Sequence, residues 1–256
     1  LVAEDNPVNQ AVAAAMLESL GVDYHLAGNG RIALDHVLHE VFDLVLMDCQ
    51  MPEMDGFETT SRIRDGQRSG TLRQHLPIIA LTANAVAGDR ERCLATGMDD
   101  YLSKPFSREQ LAAMLQRWLP QPLVAGTETT PTTAVQTGDE AINPRALDVI
   151  RQLPGPNGEL LVQKVVAAYC GDAPARLAQL QAAAAAGDAE ALRRTAHALK
   201  SSSANVGADR LSTLCREIES LGRESNVEAA KTLLADVESH LPRVLAALAA
   251  LRNPDH

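Results

Sequence analysis

Five short apolar runs, at residues 1–3, 24–27, 44–47, 78–81 and 101–102, alternate with five stretches of helical periodicity at 8–20, 32–40, 57–65, 88–96 and 108–118. Strands that alternate strictly with helices are joined by crossovers. Crossovers make neighbouring strands parallel and cover both faces of the sheet with helices. Residues 1–118 are therefore predicted to form a doubly wound α/β domain on a five-stranded parallel sheet. In such a sheet, groups at the carboxyl ends of the strands converge on one edge.

The pattern stops after Trp118. Residues 119–143 are rich in Thr, Pro, Gly and Gln with little periodicity, which reads as a flexible linker. A chain of that length and composition spans roughly 25–30 Å root-mean-square. From Pro144 onward no strand signal remains. Ala, Leu, Glu and Arg recur at helical spacing, broken at 154–158, 171–173, 187–188, 207 and 222–226. Aromatics make up only 3% of the chain, and Ala and Leu fill the apolar positions instead, which favours helix. Residues 144–256 are predicted to be an all-α bundle of antiparallel helices with short turns. The alanine run at 182–186 reads as a solvated helix end before a turn at Gly187.

Several function classes drop out on composition. A formal net charge of -10 disfavours a nucleic-acid backbone as partner. The four cysteines, Cys49, Cys93, Cys170 and Cys215, are widely spaced and suggest neither a disulfide framework nor a zinc site. Reduced thiols point to a cytoplasmic compartment. No apolar run reaches the roughly 18 residues a membrane span needs, so no membrane contact is expected of this segment. The chain opens at Leu1, without Met and directly on a predicted strand, as expected of a piece of a longer protein.

Three acids close predicted strands: Glu4 and Asp5 the first, Asp48 the third. Carboxylates gathered at one sheet edge repel one another and call for a cation. Hard oxygen ligands with open water positions suit Mg²⁺, which brings phosphate oxygens with it. Thr82 ends the fourth strand, and Lys104 follows the fifth. The edge thus carries three acids, a hydroxyl and an ammonium, a phosphoryl-transfer site without a nucleotide-binding loop. Glu4-Asp5-Asn6, the pattern D-x-x-M-P-x-M-D-G from Asp48 to Gly56, Thr82-Ala83 and Lys104-Pro105 together resemble the receiver domain of response regulators, with its flavodoxin-like fold. The resemblance implies that Asp48 is the phosphoacceptor. It implies that Glu4, Asp5, Asp48 and the backbone carbonyl of Gln50 hold Mg²⁺. Thr82 and Lys104 would bind phosphoryl oxygens, Lys104–Pro105 would be cis, and Tyr101 would be the aromatic switch. A competing motif, G-x-G-x-x-A from Gly28 to Ala33, follows the second strand instead of the first. A dinucleotide site needs it after the first, so a turn is the simpler account.

The second candidate is His197. Leu192, Ala196, Leu199, Ser203 and Val206 form the buried stripe of its helix. His197 lies one residue off that stripe, toward solvent. Lys200, Ser201 and Ala204 share its face, and Arg193 and Arg194 lie one turn before it. Cations there disfavour the imidazolium and leave a neutral nucleophile. The stretch from His197 to Ala208 resembles the phosphoacceptor motif of histidine-phosphotransfer (HPt) domains, H-x-L-K-G-x-S-x-x-x-G-A. This implies a four-helix bundle with an exposed histidine at mid-helix. Lys200, Ser201, Ala204, Arg193 and Arg194 would form the docking face. Ser201 stands where the family often has Gly. The other histidines, His25, His36, His39, His75, His240 and His256, read as structural or solvated.

A receiver followed by an HPt domain is similar to the C-terminal half of bacterial hybrid sensor histidine kinases, whose parent chains can be anchored in the inner membrane. The resemblance implies a two-component phosphorelay. Asp48 would take a phosphoryl group from the dimerisation and phosphoacceptor domain of an upstream kinase and pass it to His197. His197 would then donate it to the receiver of a downstream response regulator. No ATP-binding kinase domain is present in the chain. Two other readings stay open: a free-standing relay adaptor, and a receiver that drains phosphate in a phosphatase-like manner.

Overall fold

The computed structural model describes residues 1–72, 75–82, 87–119, 141–153 and 158–252. They belong to two compact units. In the first, β1 (Val2–Ala3), β2 (Leu26–Ala27), β3 (Val45–Asp48), β4 (Ile78–Thr82) and β5 (Asp100–Ser103) alternate with α1 (Pro7–Ser19), α2 (Gly30–His39), α3 (Gly56–Arg68), α4 (Ala87–Thr96) and α5 (Arg108–Trp118). All strand pairs are parallel, in the order β2-β1-β3-β4-β5. The predicted α/β domain is what forms. β3 and β4 are buried along their whole lengths, as continuous apolar strands covered on both faces must be. Met47, Ile78 and Ala80 pack there against Ala33, Val37, Ile63 and Cys93 from the helices.

This strand order reverses direction between β1 and β3, so the crevice beyond their carboxyl ends is the natural ligand position. The register levels that edge, with Asp48 beside Leu81 and Thr82 beside Ser103. Arg64 of α3 braces the neighbouring strands from below. Its Nη2 donates to Asp99 Oδ2 at 2.6 Å and its Nε to the Gly97 carbonyl at 2.7 Å. The other Gly-rich motif proves to be packing. Asn29 caps α2 by accepting from the Ile32 N–H at 2.9 Å. A Cβ at Gly30 would lie 2.4 Å from the Met54 carbonyl oxygen, so this glycine lets α2 reach the loop after β3.

The second unit contains α6 (Pro144–Arg151), α7 (Gly158–Ala186), α8 (Ala189–Asn205), α9 (Asp209–Arg223) and α10 (Val227–Arg252). α7 packs on α8, α8 on α9, α9 on α10, and α10 returns to α7, closing a four-helix bundle with α6 against α7 and α8. Asn143 caps α6, with Pro144 in the first turn, where its missing N–H costs nothing. Gly207 turns α8 into α9 at φ +77°, and its carbonyl accepts from Asn143 N at 2.7 Å. Ile142, near the start of this unit's described residues, is buried. The rest of the predicted linker, residues 120–140, lies outside the described residues.

One expected break is absent. α7 runs without interruption for 29 residues through Gly171 and Pro174. A helix-interior Pro costs about 3 kcal/mol and a Gly about 1. Val162, Val165, Val166 and Tyr169 before them, Ala173 between them and Leu180 after are buried on one continuous helix, and that burial outweighs the local penalty. The alanine run is also only half solvated, since Ala183 and Ala184 are buried.

Candidate functional site

At the carboxyl edge of the sheet, Glu4 follows β1 and Asp48 ends β3. Lys104, directly after β5, joins them. Its Nζ lies 2.6 Å from Asp48 Oδ2 and also donates to Glu4 Oε2. All three side chains are buried. Burial alone would lower the Lys104 pKa. The adjacent Asp48 and Glu4 outweigh it and hold the ammonium above its ordinary value. The backbone holds the acids too: Asn6 N donates to Glu4 Oε1 at 3.2 Å and Gln50 N to Asp48 Oδ1 at 3.0 Å. Thr82 is buried at the end of β4, and its carbonyl accepts from Lys104 N at 2.6 Å. The Lys104–Pro105 bond is cis. Tyr101 is half-buried against the core, with the Arg90 guanidinium 5.6 Å from its ring centroid.

Glu4, Asp5 and Asp48 each offer a carboxylate oxygen within 4.8 Å of the others. The three acids carry more negative charge than the Lys104 ammonium offsets, an excess that an all-oxygen ligand set gives to a hard divalent cation. The donor chemistry fits Mg²⁺. The loop from Asp48 to Gly56 folds back tightly on the strand end. A Cβ on Gly56 would sit 2.1 Å from the Asp48 carbonyl oxygen, so this position must be glycine for β3 to end where it does.

In the second unit His197 is 5% exposed, and this corrects the expectation of an exposed ring. Its Nδ1 lies 2.9 Å from Oε1 of Glu219 on α9, and Lys200 Nζ lies 2.5 Å from Oε2 of the same carboxylate. The acid draws both side chains over the α8–α9 groove. Burial pushes the Glu219 carboxyl up, but the hydrogen bond and charge of His197, with those of Lys200, outweigh it and bring the pKa to about 2. An ionised Glu219 can only accept, so Nδ1 must be the donor. That leaves a lone pair on Nε2.

The other expected docking residues are distributed differently. Arg193 donates to Glu190 at 2.9 and 2.7 Å, and Arg194 lies 3.9 Å from the same acid. Lys200 and Ser201 are buried, and Ala204 is half-buried. The Ser201 hydroxyl turns back to the His197 carbonyl at 3.3 Å, a local bond on its own helix. The charge nearest the histidine is therefore the anion of Glu219, whose carboxylate also takes Lys200 and, at 3.6 Å, Arg223 Nη2. Glu219 was missed in the sequence. Its signal was present: a carboxylate on the apolar stripe formed by Leu211, Leu214, Cys215, Ile218 and Gly222. None of the four cysteines is joined in a disulfide among the described residues, and Cys49 Sγ lies 3.7 Å from Cys93 Sγ.

Residues 1–116 match the family model of the response regulator receiver domain, and residues 164–253 match that of the Hpt domain. The sensor histidine kinase GacS of Pseudomonas protegens is 34% identical over 232 residues, 90% of this chain and 25% of its own length. The signal transduction histidine-protein kinase BarA of Escherichia coli is 31% identical over 232 residues, 89% of this chain and 24% of its own length. The chain thus spans about a quarter of these relatives. Among solved structures, a receiver domain of a Pseudomonas aeruginosa sensor histidine kinase is 49% identical, covering 46% of this chain and 93% of its own, with a TM-score of 0.42. That structure holds a magnesium ion in its active site cleft. No described helix is long and apolar enough to cross a membrane.

Proposed function

Because the chain belongs to the response regulator receiver family over residues 1–116 and to the Hpt family over residues 164–253, we propose that its phosphorelay signalling runs from Asp48 to His197. The observation that carries this reading is the buried Lys104 ammonium, held between Asp48 and Glu4 where a phosphoryl group would have to be neutralised. A carboxylate of Asp48 attacks the phosphorus of a kinase phosphohistidine. The P–N bond breaks, a P–O bond forms, and an acyl phosphate results. Lys104 and Thr82 then bind the phosphoryl oxygens, and Tyr101 follows Thr82 inward. Glu4, Asp5, Asp48 and the Gln50 carbonyl are the residues that would hold Mg²⁺, which supplies further charge neutralisation when bound.

In the second step His197 Nε2 attacks the Asp48 acyl phosphate. The P–O bond breaks, a P–N bond forms, and the carboxylate is regenerated. Glu219 keeps the proton on Nδ1 and offsets the positive charge that develops on the ring. Lys200 lies beside the incoming phosphoryl group. The same chemistry run against the receiver of a separate response regulator completes the relay. Residues 1–118 and 144–256 are the two working domains in this reading, with a tether between them. A kinase domain upstream, in a longer chain with cytoplasmic signalling domains, is the donor.

The experiment is delivery of phosphoryl to a downstream receiver from a chain labelled with acetyl phosphate and Mg²⁺. Wild type should deliver, whereas Asp48→Asn and His197→Gln should not. Delivery by His197→Gln would refute the role of that residue. Label that stops at Asp48 and decays there would identify a phosphate sink.

A further inference from the structure

The geometry points to a second metal site in the first unit: His25, His36 and Glu40 are placed to bind a divalent transition metal of the Zn²⁺ class. The site lies at the sheet edge opposite Asp48. His25 precedes β2, whereas Asp48 ends β3, and the strands are parallel. One ligand atom from each of the three side chains falls within a 4.8 Å cluster. Both imidazoles aim the same ring nitrogen at one carboxylate. His25 Nδ1 lies 2.8 Å from Glu40 Oε2, and His36 Nδ1 lies 2.6 Å from Glu40 Oε1.

Two independent features preset this arrangement. His36 and Glu40 are four residues apart at the end of α2, so the helix itself puts them on one face. The rings are also oriented by packing. His25, His36 and Phe42 meet edge to face, with centroids 5.8, 5.6 and 6.3 Å apart. The surroundings are anionic. Asp23 and Asp43 line the same open groove as His25 and Glu40, and the carboxyl end of α2 carries the negative end of its dipole.

Two imidazole nitrogens and one carboxylate oxygen, with an open position for water, are a zinc ligand set. Zinc–ligand bonds of about 2.0–2.1 Å put tetrahedral donors about 3.4 Å apart. The observed separations of 2.6 and 2.8 Å must therefore widen by less than an ångström. Side chains that are 53%, 27% and 38% exposed for His25, His36 and Glu40 can give that much. A neutral imidazole moves its proton from Nδ1 to Nε2 on binding, so no net proton need be lost. The all-oxygen cluster of Glu4, Asp5 and Asp48 prefers Mg²⁺, while the nitrogen-bearing cluster prefers the softer ion. The two sites can therefore be separated by competition.

The test is a calorimetric titration of the full 256-residue chain with Zn²⁺ in excess Mg²⁺. One saturable event is expected. It should weaken at least about tenfold in each of His25→Ala, His36→Ala and Glu40→Gln, since even an outer-shell partner is worth about that much. Asp48→Asn should leave it intact. Acetyl phosphate labelling of Asp48 in the three variants confirms that each still folds. Non-saturable binding, competition by Mg²⁺, or equal affinity in a His25→Ala/His36→Ala double variant would overturn the assignment.

Discussion

At neutral pH the Glu219→Gln variant is expected to lose about 3 kcal/mol of stability in the helical unit. The magnitude follows from the site. The carboxyl has a pKa of about 2 in the folded chain against an ordinary 4.5, and each pKa unit is worth about 1.4 kcal/mol. The side chain is 3% exposed, so solvent screening removes little of this. Gln keeps the shape and an acceptor for His197 Nδ1 but leaves the buried Lys200 ammonium without its anion, a loss of the size measured for broken buried ion pairs. The sign is equally definite. A depressed carboxyl pKa stabilises the fold above the unfolded value and loses that contribution as pH falls toward the folded one. The gap between wild type and variant should be full at pH 7, fall to under half by about pH 3, and vanish only below about pH 2.

Urea denaturation followed by far-ultraviolet circular dichroism measures the gap. The single tryptophan, Trp118 in α5, reports the first unit by fluorescence, and its midpoint should not move. A gap under about 1 kcal/mol at pH 7, or one unchanged at pH 3, would refute the argument that Glu219 is an ionised anchor for His197 and Lys200.

Lys104→Ala leaves Asp48 and Glu4 buried without their cation and should cost about 3 kcal/mol; Mg²⁺ should raise the melting temperature of this variant more than that of wild type, read by Trp118 fluorescence. Gly56→Ala drives a methyl into the Asp48 carbonyl, 2.1 Å from the ideal Cβ position, and should cost at least about 2 kcal/mol and slow acetyl phosphate labelling, measured on the same samples. Gly207→Ala forces a side chain onto φ +77° and into the Asn143 carbonyl at 2.2 Å; thermal denaturation by circular dichroism should show a loss of more than about 1 kcal/mol. Chelation by EDTA should abolish labelling of Asp48, as mass spectrometry would show.

Where periodicity and strand ends fix positions, the sequence was readable. Asp48, Glu4, Thr82 and Lys104 converge because parallel strands deliver their carboxyl ends to one edge, and that follows from alternation alone. The continuous α7 was not readable, because Gly171 and Pro174 signal a break locally while the burial of Tyr169, Ala173 and Leu180 decides otherwise. His197 looked solvent-facing on a one-helix wheel. The wheel does not contain α9, and Glu219 there turns the ring inward. Arg193 and Arg194 likewise looked like partners of the histidine until the structure paired them with Glu190, three and four residues earlier. The joining of His25 to Glu40 across the β2 entrance is a tertiary contact with no local signal, so the histidines had read as structural.

Whether Asp48 is the precursor of phosphohistidine at His197 is decided by a rapid-quench time course. The wild-type chain is mixed with labelled acetyl phosphate and Mg²⁺, and hydroxylamine-labile and acid-labile phosphate are separated at each time. The hydroxylamine-labile acyl phosphate should rise first and fall as the acid-labile phosphohistidine appears, with neither species in Asp48→Asn and only the first in His197→Gln. Phosphohistidine that appears without a preceding acyl phosphate, or that forms in Asp48→Asn, would contradict Asp48 as the precursor.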